Sequence, residues 1–231
     1  MNHQTLTIEP SVMRVTLLSH TENADQLCGE AAALCYQGKD WERSLSRSMA
    51  SGHTSVTEHA SFTFLIEGVS RVLLAQLTRH RLASFSVTSQ RYCGISGGMI
   101  VPPSMQCPAL QEEIQTVIQA VERLYSKATS LGVPKEDARY FSLQGGTTSL
   151  MITMNARELN HFFSLRCCRR AQWEIRQLAD EMLKLCKLAA PKLFENAGPG
   201  CVRGGCPEGK MSCGRPRNQN EWNGEENHED H

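Results

Sequence analysis

The sequence predicts a mixed α/β domain, and three stretches carry that reading. "ASFTFLIEG" (60–68) places Phe62, Phe64 and Ile66 at every second position, the period of a strand with one buried face. From Val69 the spacing changes to three and four through Val72, Leu73, Gln76, Leu77 and His80, which predicts a helix ending near Arg81. "ALQEEIQTVIQAVERLYSKATSLG" (109–132) carries Leu110, Ile114, Val117, Val121, Leu124 and Ala128 at helical spacing, an amphipathic helix with that side turned inward.

The other elements follow in order. "MRVTLLSHT" (13–21) alternates as a first strand, and "NADQLCGEAAALCYQG" (23–38) reads as a helix closed at Gly38, a residue that favours the left-handed cap. "SLSRSMASG" (44–52) is a further short helix, and "SGGMIVPPSM" (96–105) a loop marked by glycines and paired prolines. "VPKEDARYF" (133–141) restarts helically behind its proline. "TSLMITMN" (148–155) is a strand, and Asn155 caps the helix "ARELNHFFSLR" (156–166). "RAQWEIRQLADEMLKLCKLAA" (170–190) is a long helix that stops before Pro191. No linker precedes about residue 195, so residues 1–195 are expected to form one domain, and 196–231 a Cys- and Gly-rich, then acidic, tail without fixed structure.

Lysine plus arginine (24) equals aspartate plus glutamate (24), which argues against a general polyanion binder; recognition of an anion must come from where the charge sits. No stretch has the composition of a signal peptide or approaches the ~18 apolar residues of a membrane span, so a soluble, cytoplasmic protein is expected. In that compartment the ten cysteines read as reduced thiols or metal ligands and not as a disulfide framework.

The charge is placed unevenly. From Gly68 to Gln111 there is no acid, yet Arg71, Arg79, Arg81 and Arg91 lie inside; Leu159 to Trp173 is also acid-free and holds Arg166, Arg169 and Arg170. On a helix of about 3.6 residues per turn, Arg79 and Arg81 diverge by about 160°, placed to serve two anionic ligands. Gln76 shares the face of Arg79, and Ser84, Ser86 and Ser89 with Arg91 suit a loop that wraps a phosphate with short donors. A solvated helix end accounts for two cations there but not for four. In the second run Arg157 and His161 share one face and Arg166 and Arg170 another; an anion site at the helix start and an ordinary cap with surface arginines explain these equally.

Two metal readings are weaker. His53, Glu58 and His59 match no zinc-protease spacing. Cys201, Cys206 and Cys213 lack the paired knuckle of a zinc site, so no metal is expected.

Arg79-His80-Arg81 followed by seven residues and Ser89 resembles the signature of the flavin-dependent thymidylate synthases. "SGHTSVTEHASFTF" before it, "RY" after it, "MNARELNHFFSLR" and "AQWEIRQLA" stand in that family's order and spacing, covering most of the chain from about residue 10 to 195. The resemblance implies FAD as cofactor, with deoxyuridine monophosphate (dUMP), 5,10-methylenetetrahydrofolate and NADPH as substrates, reductive methylation of the uracil at C5, and a homotetramer with shared sites. The fold expected with it is a central, mostly antiparallel sheet flanked by long helices, with a flexible C-terminal tail. Carried over by position, Gln76, Arg79, Ser89, Gln90, Arg91 and Arg139 would bind dUMP, and Arg166 would activate the pyrimidine. Ser55, Arg79, His80, Arg81, Asn155, Arg157 and His161 would hold FAD, with His53 a further site residue. The chain departs from the common pattern at Ser86-Val87, where many members have Asn-Glu, and at His161, where others have Asn. Ser89 has no evident base and is assigned to binding.

Two rivals are weighed against this. A nucleic-acid-binding module would want aromatics among the cations and a positive balance, and only Phe85 and Tyr92 lie in the first basic stretch. The other is a different nucleotide-binding flavoenzyme on the same scaffold.

Overall fold

A computed structural model describes residues 13–94 and 98–222. Four strands, β1 (Arg14–His20), β2 (Ser61–Ser70), β3 (Ala83–Val87) and β4 (Thr147–Asn155), form one antiparallel sheet in the order β1-β2-β4-β3. The helices are α1 (Ala24–Tyr36), α2 (Trp41–Ala50), α3 (Arg71–Leu77), α4 (Pro108–Ser130), α5 (Lys135–Ala138), α6 (Ala156–Arg166) and α7 (Trp173–Ala189). The mixed α/β class and the antiparallel sheet match the expectation. No helix among the described residues is long and apolar enough to cross a membrane.

The chain divides into two compact units, one of residues 15–65, 77–85 and 151–222, the other of 13–14, 66–76 and 86–150. In the first, the alternation read in "ASFTF" is a buried face: Phe62 and Phe64 are fully enclosed, and Phe194 meets the rings of Phe62 and Phe163 edge-on. Leu159, Phe162 and Phe163 of α6 join Ile175, Leu178, Met182 and Leu183 of α7 in the same core. Each such side chain removed from water contributes about 1.5–3 kcal/mol. Thr63 and Thr153 share a hydrogen bond of 2.9 Å between β2 and β4. The Asp25 carboxylate of α1 accepts the backbone N–H groups of Lys192 and Leu193 at 3.0 and 2.9 Å, tying the segment after α7 back to α1. Helix α1 runs so close to Trp41 that a Cβ at Gly29 would stand 2.6 Å from the indole and 2.7 Å from the Trp41 carbonyl oxygen.

Four expectations are corrected. Helix α1 ends on Gln37 in the left-handed region (φ 53°), not on Gly38, whose N–H instead closes the cap on Ala33 O at 2.8 Å. Helix α3 stops at Leu77, four residues before Arg81, and a turn closed by His80 N–H to Leu77 O (3.0 Å) follows. Ser84 and Ser86 lie on the exposed side of strand β3 and not in a loop. Residues 196–222 are not a structureless tail: they form three short 3-10 turns, and Trp222 is only 2% exposed. The rest of the expected tail, 223–231, lies outside the described residues, as do residues 96 and 97 of the expected glycine-proline loop.

In the second unit the 23-residue helix α4 has two apolar stripes. Ile114, Ile118, Val121 and Ala128 turn partly or wholly inward, but Leu110, Val117 and Leu124, also expected inward, are 38%, 50% and 44% exposed. Leu131, seven residues further, is 74% exposed.

Candidate active site

Helix α6 builds one group of site residues because β4 runs straight into it. Asn155, last residue of the strand, accepts the Glu158 N–H at 2.9 Å through its side-chain oxygen, the N-cap read from the sequence. Arg157 and His161, one helical turn apart, lie exposed on the outer side, as expected. They line a depression of about 260 Å³ with Thr54, Thr57, Ser164 and Arg203. Ser55 is exposed within the 3-10 helix Thr54–His59, and Glu58 of the same helix pairs with Arg157. A second hollow of about 550 Å³ shares Thr54, Asn160 and Arg203 with the first and has an apolar wall of Leu45, Met49 and Leu193. His53 is exposed at the other end of this segment, its Nδ1 3.0 Å from the Tyr36 hydroxyl.

The inner side of α6 carries a buried chain of polar groups. Glu158 Oε1 stands 3.1 Å from His80 Nδ1, and Arg166 Nε donates to His80 Nε2 at 3.2 Å. Since Nε2 accepts, the proton of the neutral ring is on Nδ1 and is donated to the carboxylate. Burial lowers the His80 pKa below the ordinary 6.5; the Glu158 hydrogen bond opposes this and the Arg166 charge adds to it. Burial also lowers the pKa of Arg166, which remains a cation at neutral pH. His80 points inward while its neighbours Arg79 and Arg81 are both exposed, so the two arginines are set apart by a turn around a buried histidine and not by divergence along a helix. Neither has an acidic partner among the described residues.

His80, Glu158 and His161 bring ligand atoms within 4.8 Å of one another, and theirs is the one such group among the described residues. Both nitrogens of His80 are already taken, one of them by a guanidinium, so the cluster does not suit a metal cation. Cys201, Cys206 and Cys213 do not converge in this way, and all ten cysteines are unpaired. Nor do Arg166 and Arg170 share a helix face: α6 ends at Arg166, and Arg170 pairs with Glu208 at 2.7 Å.

The second unit gathers a different set. Ser89 caps the turn after β3, its carbonyl accepting from Cys93 N–H (2.9 Å) and its hydroxyl oxygen from Arg91 N–H (3.3 Å). Gln90 is half-buried in the same turn. Arg91 pairs with Glu136 at 2.6 Å, and Arg139 donates to the Glu136 carbonyl at 3.2 Å, so this run finds in space an acid that it lacks in sequence. Arg71 is not among the site residues that the resemblance implies. It donates to Thr88 O at 3.0 Å, its buried Nε has no partner, and the nearby charge of Arg139 helps burial lower its pKa. A buried guanidinium atom left unpaired beside a second arginine is the environment an anion relieves. Gln76 lies half-buried in the last turn of α3.

Residues 16–192 match the family described as Thymidylate synthase complementing protein. The chain belongs to that family. The flavin-dependent thymidylate synthase of Geobacter sulfurreducens is 46% identical over 219 residues, covering 88% of this chain and 94% of that one. The enzyme of the same name from Clostridium tetani is 42% identical over 233 residues, covering 88% and 94%. Among solved structures, a UMP/dUMP methylase, PolB, of Streptomyces cacaoi bound with 5-Br dUMP aligns with a TM-score of 0.69 over 80% of this chain and 94% of that one; at 24% identity it bears on the fold alone.

A flavin is the cofactor that the names of these relatives imply, and the donor set of the smaller hollow suits the phosphate-bearing part of such a group. Arg157, His161 and Arg203 with the hydroxyls of Thr54, Thr57 and Ser164 match a diphosphate and its sugars. At about 260 Å³ the hollow is below the usual size for a whole ligand of that class, so it would hold only a portion.

Proposed function

We propose that this chain is a flavin-dependent thymidylate synthase. It converts dUMP to thymidylate by reductive methylation at C5, with 5,10-methylenetetrahydrofolate as one-carbon donor and NADPH as reductant by way of FAD, and releases tetrahydrofolate. The observation that carries the reading is the 46% identity, over 88% of the chain, to a synthase of that name. The buried support beneath Arg166, at the position the family resemblance gives to pyrimidine activation, agrees with it.

When bound, FAD supplies the reducing hydride. Asn155, Arg157, His161 and Ser55 would hold it, with Arg79 and Arg81 as exposed cations toward its phosphates. His80 would take part through its main chain, because its side chain is committed to Glu158 and Arg166. Gln76, Arg79, Ser89, Gln90, Arg91 and Arg139 would bind dUMP, and Arg71 joins them as a further cation for its phosphate. Val87 offers the nucleotide only its backbone. The Arg166 guanidinium would stabilise negative charge at the N3–C4 edge of the uracil, favouring attack by C5 on the one-carbon unit; C5 then gives up its proton.

The active form would be a homotetramer. The stripe Leu110, Val117, Leu124 recurs every seven residues on one side of α4 and continues to Leu131 at its C-cap, and a second copy of this chain is the occupant that an exposed apolar helix face of a tetramer calls for.

The test is release of tritium from 5-tritiated dUMP by the purified yellow protein. Release that requires both methylenetetrahydrofolate and NADPH supports the synthase; no release under those conditions refutes it. Arg166→Ala should lower turnover by at least about a hundredfold, the loss expected of a group that acts on the developing charge, while bound flavin is largely retained. A colourless Arg166→Ala protein with normal nucleotide affinity would overturn the division of roles among the arginines.

A further inference from the structure

Glu158 stands at the third position of α6, where a glutamate ordinarily reaches back to the backbone N–H of the cap residue. Here it turns inward. Its side chain is 8% exposed and its partner is His80, itself 4% exposed. A carboxylate withdrawn from water needs a strong partner, and a neutral N–H donor is a modest one. The arrangement makes chemical sense through what His80 does on its other side, where Nε2 receives Arg166 Nε.

We propose that Glu158 and His80 are positioning residues for Arg166: Glu158 fixes the proton of His80 on Nδ1, and the bare Nε2 then holds the Arg166 guanidinium by its Nε. The inference rests on the reading of Arg166 as the group that faces the pyrimidine. A carboxylate paired directly with Arg166 would orient it but offset the positive charge it brings to the uracil. An imidazole orients it without adding a negative charge at the contact, while the anionic end of the chain is kept on the far side of the ring. The edge of Phe162, with ring centroids 4.9 Å apart, fixes the His80 plane from within α6. The wrong tautomer would present an N–H to the Arg166 N–H and push the guanidinium away. The titratable and charged groups facing His80 are Glu158, Arg166 and His161, the last at a centroid distance of 6.0 Å.

The relay is tested on the flavin-loaded enzyme labelled with 15N-histidine. The wild type should show His80 as the Nδ1–H tautomer, neutral down to the ordinary histidine value of 6.5. Glu158→Ala should shift it toward the Nε2–H form. The same variant should lose about 10–100-fold in kcat, the usual effect of a removed orienting partner, with KM for dUMP changed by less than about threefold and flavin content unchanged. Glu158→Gln, whose amide oxygen still accepts the Nδ1 proton, should recover kcat to within about tenfold of wild type. His80→Gln retains an oxygen acceptor near the position of Nε2 and should surpass His80→Ala in kcat. An Nε2–H tautomer in the wild type, or a flavin-loaded Glu158→Ala enzyme with unchanged kcat, overturns the proposal. Should Glu158→Ala fail to fold, the wild-type tautomer and the two His80 variants decide it. A wild type that makes no thymidylate refutes the functional reading instead, and the tautomer measurement still judges the relay.

Discussion

In the unfolded chain His80 takes up a proton near 6.5; in the folded chain burial moves that event lower, against the pull of the Glu158 hydrogen bond and with the push of Arg166. As pH falls below 6.5 the unfolded state therefore binds a proton that the folded state refuses, and stability declines. Above 6.5 the ring is neutral in both states and the contribution of its buried hydrogen bonds is fully present. Urea midpoints measured from about pH 7.5 to 5 should fall for the wild type, and the gap to His80→Gln, which cannot titrate, should narrow toward acid. A constant gap would mean that His80 is not the group responsible. Much of the outer site is legible residue by residue, since Arg157 and His161 share a face and Asn155 caps α6 as the spacing says. Glu158 is not legible: an acid three residues after a capping asparagine reads as half of a capping box, and only the fold reveals that it turns inward. Arg71 is missed for a related reason, because a buried orphan nitrogen is a property of packing.

At the scale of an element, periodicity identifies a helix more firmly than it identifies what covers it. Helix α4, expected over 109–132, runs from Pro108 to Ser130, yet its two apolar stripes look alike in sequence, and within the chain only the one containing Ile118 is turned inward. The other, Leu110, Val117 and Leu124, would be covered by another copy of the chain. Val117→Glu should then dissociate the oligomer, since a charge buried unpaired in an interface costs several kcal/mol, while the monomer stays folded because Val117 is half-exposed there. Light scattering after size exclusion measures this: an unchanged mass would remove α4 from the interface. Helix α3 fails in the opposite direction. Its pattern continues to His80, but the helix stops at Leu77, because the buried partners of His80 are reached from a turn and not from a continuing helix.

At the scale of the molecule, composition misjudges residues 196–222. Glycine, proline and polar residues argue for disorder, but two side chains far apart in effect anchor the segment. Arg217, 10% exposed, donates to both Asp180 oxygens at 2.8 and 2.9 Å and to Cys167 O at 2.9 Å, and pairs with Glu221. Trp222 lies under the Arg217 guanidinium and donates its indole N–H to Asp180 Oδ1 at 2.9 Å. Asp180 thus belongs to α7, its partners to a segment beyond the matched residues 16–192, and the Cys167 carbonyl to the residue directly after Arg166. Removing the indole leaves a cavity and takes from Asp180 Oδ1 one of its two donors, Arg217 remaining, so Trp222→Ala should destabilise the fold by about 3–5 kcal/mol. In a chain of this size that lowers Tm by roughly 6–20 °C. Trp222→Phe, which fills most of the cavity but gives no N–H, should fall between the two. The brace also ends beside the site, so Arg217→Ala should reduce kcat as well as Tm, because the end of α6 that carries Arg166 loses its donor at Cys167. Thermal unfolding paired with tritium release on one preparation separates these effects: a lowered Tm with unchanged kcat well below the transition would confine the segment to stability.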